Sequence, residues 1–491
     1  MRHRTPQPRF AAEPLLTLLA GVVCAAFAAR TFLLIDSSSL WGDELRSVIK
    51  SFQPSPGFIL SYLRTDSHPP LYYLSLWGWG QAIGQTAWSL RAFSWLAYLL
   101  GGGLMALQAA LLARHRRRAA VIAALLAFCT PFPVRFAIEG KSYALLVALI
   151  AGALILRAQA LERPRRQGPG IGYALLVALS GFTHFYGLAL LGATGLWDAC
   201  RRRWRLALAC GAGMVPGAAW IVHASGYLLD PSTNDWIAPP EFSLLTAVLR
   251  RALGADPFRM LAAIAMAVLV LQLWGRPAKA QPIEWRRLAD RTGLWGGLLM
   301  VLLVVAVSFL RPIAFARYFI VLVPVLIPAV AIGLADWSLR PRAAWLALLL
   351  AAVAVVHVWT ESFRELQPSA GRFDRERDDF RSVSLRLAGA SHRYARRPEL
   401  FAASDRVLLA AGRLDGPGRA WGEEDDLRQA LKASPPPAEL HLAAAGRNSD
   451  ERRRLEDLKA ISRDAGYRCE PLEELPRGAF AWRCTLPQRS P

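Results

Sequence analysis

Acidic residues are scarce in this 491-residue chain: 37 Asp and Glu stand against 58 Lys and Arg, a formal charge of +21. In a soluble protein that balance would imply nucleic acid or another polyanion as partner. Here many arginines fall in short blocks between apolar runs, the pattern expected of cytoplasmic loops of a membrane protein, so most of the charge reports topology and no nucleic-acid partner is implied. The arginine surplus of the last 130 or so residues is outside that explanation. Cysteine is equally sparse, six in all. Cys24, Cys129, Cys200 and Cys210 lie in or beside apolar runs and read as small packing residues rather than a metal set. The polar tail contains no Gly-rich phosphate loop and no metal motif, which argues against a nucleotide-binding module there. Its two cysteines, Cys469 and Cys484, are 15 residues apart and can close a disulfide if the tail is outside the cytoplasm. The first apolar run lacks a convincing cleavage site, so it is expected to be a retained helix and not a removed signal peptide.

What the chain does have is hydrocarbon. Hydrophobic residues make up 54%, with 17 Trp and 21 Phe, too apolar for an ordinary soluble protein and expected of a polytopic α-helical membrane protein. Arg2, Arg4 and Arg9 put the amino terminus in the cytoplasm, and a first span at about 12–34 delivers the following loop to the outer face. The segment 71–84, LYYLSLWGWGQAIG, is short for a span, and if it crossed, Arg114 and Arg116 to Arg118 would face outward. It is therefore expected to lie as a helix at the outer interface, a depth that suits its Tyr and Trp. Further spans are expected at about 88–112, 119–133, 143–160, 170–183, 188–200, 206–223, 257–274, 293–310, 319–336 and 343–360, so that arginine blocks alternate with polar loops. The total is about 11 spans with the carboxyl terminus outside. Residues 224–256, rich in turn formers, are expected to be a long outer loop. Residues 1–360 form the membrane domain in this reading. Residues 361–491 form a small α/β domain, with helical patterns at about 376–390 and 450–465 and short apolar runs at 405–410, 439–445 and 479–485.

The stretch Leu40 to Tyr73 concentrates titratable groups at the exit of the first span: Asp43 and Glu44, then Asp66 and His68, with Pro69 and Pro70 opening the aromatic segment. Glu139, Lys141, His184, Tyr186, Arg311 and Arg317 fall on the same outer side. Singly, such residues are ordinary solvated surface. Their gathering at membrane ends matters more, because ionisable groups near hydrocarbon are costly and need partners. The mix suits transfer from a lipid-linked phosphate. A carboxylate takes the proton of an incoming hydroxyl while Lys and Arg hold the departing phosphate, and no nucleotide site is needed on the outer face.

WGDE at 41–44, DSHPPLYY at 66–73, EGKSY at 139–143, THFYG at 183–187 and ARY at 316–318, in this order, resemble the GT-C superfamily of membrane glycosyltransferases. The likeness is greatest to bacterial relatives of the dolichyl-phosphate-mannose protein mannosyltransferases (family 39) and of the lipid A aminoarabinose transferases. It covers about residues 12–360, and the tail resembles the small periplasmic domain of many such proteins. The resemblance implies a GT-C fold, a polyprenyl-phosphate-sugar donor, inversion at the anomeric carbon, and a bacterial cytoplasmic membrane with the site facing the periplasm or cell exterior. By the same resemblance Asp43 matches the first-loop catalytic base and Glu44 completes that motif, orienting base or acceptor; the competing reading of the pair is an exposed helix cap. Asp66 and His68 match the region ahead of the interfacial helix, where His68 would bind phosphate; the competing reading is a capped loop with an incidental histidine. Lys141 and Tyr143 match a pair that is often Arg and Tyr, and lysine keeps the charge without the bidentate fork. His184 and Tyr186 match a cavity-lining motif, and Arg317 and Tyr318 a late motif near the carrier phosphate. Arg311 reads equally well as an interface anchor.

Asp43, Glu44, Asp66, His68 and Glu139 include metal-ligand types, yet no short spacing identifies a site, and no metal is expected. The acceptor, a lipid, a glycan or a protein hydroxyl, is not specified by the motifs. A transporter or flippase of a lipid-linked saccharide is the chief rival, but it calls for polar groups deep in several spans, and these are sparse. A scaffold or receptor leaves Asp43, Lys141 and Arg317 without a common purpose.

Overall fold

A computed structural model of the chain describes residues 12–35, 42–230, 237–254, 256–275 and 283–337, and in the tail 399–402, 427–428, 431–432, 434–445, 449–471 and 479–487. The first half contains α1 (Ala12–Leu33), α2 (Gly42–Ser51), α3 (Pro56–Leu63), α4 (Leu71–Ile83), α5 (Ala87–Leu112), α6 (Arg116–Cys129), α7 (Pro131–Ala137), α8 (Tyr143–Glu162), α9 (Gly168–Thr183), α10 (Phe185–Cys200) and α11 (Trp204–His223). There follow α12 (Ser225–Leu228), α13 (Phe242–Leu253), α14 (Pro257–Gly275), α15 (Trp285–Thr292), α16 (Leu294–Leu310), a 3-10 segment (Ala316–Leu322) and α17 (Val323–Asp336). Two compact units emerge: residues 1–35, 63–72 and 91–367, and residues 36–62, 73–90 and 368–491.

The first unit is a helical bundle. At each expected span up to residue 336 there is a helix, whereas the span expected at 343–360 lies outside the described residues. Among the described residues four helices are long and apolar enough to cross a membrane, or six if each bent pair counts as one, fewer than the ten spans expected there. Several helices are shorter than a full crossing, α9 and α10 at 16 residues and α16 at 17, and two apolar stretches are bent at a proline or a glycine. Pro131 removes a helix donor and α6 bends by 58° into α7. Gly293, at φ +84°, turns α15 by 67° into α16, a conformation that residues with a Cβ rarely adopt. The protein is a multi-pass helical membrane protein in which several helices are shorter than a regular span.

Within this unit α9 packs between α8 and α11, α10 against α11 and α16, and α17 against α6. Close approach of α10 and α16 depends on Gly296, where a Cβ would overlap Thr194. Below the apolar core lies an ionic lock. Arg157 and Asp198 are both fully buried, with Nε and Nη2 of the arginine donating to the carboxylate at 2.8 and 2.7 Å. Arg157 also donates to the Asp290 carbonyl at 2.7 Å, and Arg203 joins Asp198 at 3.2 Å and Asp290 at 2.8 Å. The lock ties α8, α10 and α15 together.

Residues 224–256 are not simply a loop: α12 and α13 occupy much of the described part. Its prolines and Asn234 are turn formers, but Leu244 and Val248 of α13 pack on the core and Gly254, at φ +92°, ends the helix. The stretch 40–73 is likewise largely helical, in α2 and α3.

In the second unit α2 packs on α4 through Lys50 over the Tyr73 ring, at 5.3 Å, and through the Trp77 indole, which donates to the Gln53 carbonyl at 2.9 Å. The tail of this unit is a four-stranded mixed sheet ordered β1-β2-β4-β3, with β1 Glu399–Ala402, β2 Glu439–Ala445, β3 Arg468–Pro471 and β4 Ala479–Thr485. β1 runs parallel to β2, and the other pairs are antiparallel. Strands β2 and β4 fall on the expected runs 439–445 and 479–485, and helix α18 (Ser449–Asp464) on the pattern at 450–465. The patterns at 376–390 and 405–410 lie outside the described residues. Leu440 and Leu442 of β2 share a core with Leu455 and Leu458 of α18. Cys469 and Cys484 stand opposite each other on β3 and β4 and form a disulfide.

Candidate active site

The helix breaks of the first unit bring one set of polar groups together. His184 is the hinge between α9 and α10: its extended backbone ends the first helix, and its Nδ1 accepts from the Tyr186 amide at 3.2 Å to cap the second. That bond assigns the proton of the neutral ring to Nε2. The α6–α7 break carries the chain into the Glu139–Lys141 turn and the start of α8 at Tyr143. The 3-10 segment, held off regular helix by Pro324 in the first turn of α17, sets out Arg317 and Tyr318.

The His184 ring lies 5.0 Å from Tyr318, 5.8 Å from both Tyr143 and Tyr186, and 5.9 Å from His68. Tyr186 and Tyr318 are 5.1 Å apart, and the Tyr186 hydroxyl donates to the Ile313 carbonyl at 2.7 Å. Asp66 organises the approach: its Oδ1 accepts from the His68 amide at 3.0 Å and lies 2.8 Å from His68 Nδ1. An aspartate accepting from a backbone amide two residues on makes a local turn, and the His68 ring that this turn fixes meets His184.

Lys141 and Glu139 are both buried. The lysine carbonyl accepts from Ser94 at 3.3 Å, and the Glu139 carboxylate lies 3.8 Å from Arg135. Burial, the neighbouring His68 and the charge of Lys141, in that order, lower the pKa of His184 to about 3, so this imidazole is neutral across the physiological range. Arg317 places its guanidinium 4.9 Å from the centre of the Phe315 ring, beside Tyr318. The result is a cluster of aromatic and hydrogen-bonding side chains with cationic groups nearby, a chemistry able to orient polar oxygens and to balance a phosphate.

Asp43 and Glu44 belong to the second unit, in the first turn of α2, where carboxylates meet the positive end of the helix dipole. Asp43 is half-buried and Glu44 fully buried, so the pair is not an exposed cap. Arg311 donates to the Asp230 carbonyl at 2.9 Å and to that of Leu228, which makes it a tie to the end of α12. Three contributors escaped the sequence reading: Arg135, Phe136 and Phe315. Arg135 stands four residues before Glu139, a spacing that signals an ion pair on a helix, and the Phe136 ring lies tilted against Tyr143 with centroids 4.6 Å apart. Among the described residues no group of three or more His, Cys, Asp or Glu side chains is gathered as a metal ligand set.

No protein-family model matches the chain, and no curated protein sequence matches it. Solved structures do match. The apo crystal structure of ArnT from Cupriavidus metallidurans aligns with TM-score 0.60 at 15% identity, covering 94% of this chain and 97% of that one. The structure of the same protein bound to undecaprenyl phosphate gives 0.61 at 15% identity, with coverage of 96% and 98%. The chain has a GT-C-like fold. At this identity the likeness speaks to the fold, and it extends over nearly the whole of both chains, tail included.

Proposed function

We propose that this protein is an inverting glycosyltransferase. It moves a sugar from a polyprenyl-phosphate donor to a hydroxyl of a lipid, glycan or protein acceptor at the outer face of a bacterial cytoplasmic membrane. The observation that carries this reading is the convergence of His68, Tyr143, His184, Tyr186 and Tyr318 at helix breaks, with Lys141 buried close enough to act on His184. Ring faces and neutral donors suit a sugar, and the cations suit its phosphate. The ArnT structure that shares the fold was solved with undecaprenyl phosphate, the class of carrier inferred here.

In this mechanism Asp43 accepts the proton of the acceptor hydroxyl as its oxygen bonds to the anomeric carbon from the face opposite the phosphate. The anomeric carbon–oxygen bond to phosphate breaks, and the polyprenyl phosphate leaves with the electron pair. Glu44 orients Asp43 or the acceptor. Arg317 and Lys141 balance the leaving charge, His68, fixed by Asp66, donates a hydrogen bond to the phosphate, and His184 and Tyr186 face the sugar. Glu139 is paired to Arg135, which supports a role in holding the Lys141 turn in place. Residues 1–360 constitute the catalytic membrane domain, its shorter helices completing about 11 crossings, and 361–491 the outer α/β domain. The disulfide supports an oxidising location for that tail.

The test is sugar transfer by the purified protein in lipid, with a panel of polyprenyl-phosphate sugars and a membrane extract as acceptor, beside Asp43→Asn. Transfer lost in the variant while donor binding persists supports the assignment. Donor that crosses a liposome bilayer untransferred, with Asp43→Asn changing neither event, makes the protein a transporter.

A further inference from the structure

Gln108, on α5, is fully buried, and neither its amide nitrogen nor its amide oxygen has a hydrogen-bond partner. An unmade buried polar group costs about 1–3 kcal/mol, so this amide calls for a partner that the polypeptide does not supply. It borders a cavity of about 300 Å³ between α5, α6 and α8. Its apolar lining is made by Leu111, Leu112, Ile155 and Ala158. Its polar lining includes Gln108 and Gln159, with Arg116 and Arg163 from the two arginine blocks. Neither arginine makes an ion pair among the described residues, whereas Glu162, also in the lining, is paired with Arg291. Leu111 on the lining and Leu107 one turn earlier are 42% and 46% exposed, an apolar track along the outside of α5.

The cavity is distinct from the candidate active site. Tyr143 opens α8 and Gln159 lies 16 residues along it, about 24 Å at the helical rise. We propose that this cavity holds the headgroup of an anionic glycerophospholipid from the leaflet beside the arginine blocks. Its phosphate lies between Arg116 and Arg163, its glycerol and ester oxygens meet the amides of Gln108 and Gln159, and an acyl chain follows Leu111 and Leu107. A soluble phosphate would use the arginines but gain nothing from the apolar lining or the leucine track, and a zwitterionic lipid would bring its own cation against the two arginines.

The experiment uses the full-length protein in detergent and measures its thermal unfolding and native mass with short-chain phosphatidylglycerol, short-chain phosphatidylcholine or inorganic phosphate. Phosphatidylglycerol is expected to give a saturable rise in melting temperature and a retained lipid mass. Apparent affinity is expected to fall roughly tenfold or more in Arg116→Gln/Arg163→Gln and several-fold in Gln108→Leu. Arg201→Gln/Arg202→Gln, at another exposed basic loop, should leave it unchanged. Equal stabilisation by phosphatidylcholine, an equal loss in the Arg201/Arg202 variant, or a shift that inorganic phosphate reproduces in full with the same arginine dependence would each overturn the lipid site. The last of these would assign the cavity to a soluble anion instead.

Discussion

His68 and His184 meet edge to face, their ring centroids 5.9 Å apart, in opposite electrostatic settings. His68 is held 2.8 Å from the Asp66 carboxylate, while His184 is buried against His68 and Lys141 and has its pKa lowered to about 3. One ring has a carboxylate beside it, and the other is kept neutral.

The neutral state of His184 makes the fold acid-sensitive in a defined window. Its folded pKa, about 3, is below the unfolded value near 6.5, so its contribution is complete above pH 6.5 and is lost as pH falls toward 3. The slope reaches at most about 1.4 kcal/mol per pH unit. Thermal unfolding between pH 7 and pH 4.5 should therefore show a smaller loss of stability in His184→Asn than in the wild type. Parallel curves would mean that the ring is not held neutral.

Asp43→Asn is expected to lower the transfer rate by about 10²–10⁴-fold with little change in donor binding, as loss of a general base does. Glu44→Gln should reduce the rate less, and its effect should include folding, because Glu44 is fully buried. Single-turnover assays with equilibrium binding of the donor separate the two. Weakened donor binding in Asp43→Asn, matching the loss of rate, would remove the base assignment.

The histidine–tyrosine convergence could be read in part from sequence, because DSHPP, EGKSY, THFYG and ARY each pair a polar group with a break in an apolar run. What could not be read was how those breaks are made. Thr130-Pro131 bends α6 by 58° into α7, and the break at His184 leaves α9 and α10 at 16 residues each, so fewer of the described helices reach a full crossing length than the apolar runs and arginine blocks implied. Arg135 and Phe315 were missed because one looks like an isolated charge at a span end and the other like one more apolar residue. Their meaning depends on Glu139 and Arg317, which only the fold sets beside them. α13 was missed because Pro239 and Pro240 drew attention to turns, while Leu244 and Val248 bury only against the core of the bundle.

If Arg317 binds the carrier phosphate, Arg317→Ala should raise the donor KM by about 10–100-fold, the loss of a charge-assisted contact, and Arg317→Lys should recover part of it. Phe315→Leu removes the ring face under the guanidinium and should cost a smaller factor of about 2–5. A donor titration over the three variants checks the order. Full activity of Arg317→Ala would pass the phosphate to Lys141 alone.

The Cys469–Cys484 disulfide closes a loop of 15 residues within the tail sheet. Constraining a loop of that length stabilises the folded state by about 3 kcal/mol in the chain-entropy account. Cys469→Ser/Cys484→Ser should loosen the tail, seen as faster proteolysis of the segment after Ser449. Unchanged cleavage would show that the sheet and the Leu440, Leu442, Leu455 and Leu458 core hold without it.

The Arg157–Asp198 pair should prove costly to break and cheap to replace. Both side chains are fully buried, so Asp198→Ala leaves a guanidinium in the core with its main counter-charge gone, a loss of about 3–5 kcal/mol. Arg157→Met should strand Asp198 in part, because Arg203 still reaches it at 3.2 Å. The double variant Arg157→Met/Asp198→Leu removes both charges and should sit well above the sum of the single losses. The pair joins α8 to α10, whose opposite ends supply Tyr143 and Tyr186, so the same cycle read through transfer activity tests whether the lock sets the spacing of those two rings. An Asp198→Ala protein that loses stability but keeps its donor KM would confine the lock to folding. A raised KM that the double variant restores would place it in control of the site from the far end of the same helices.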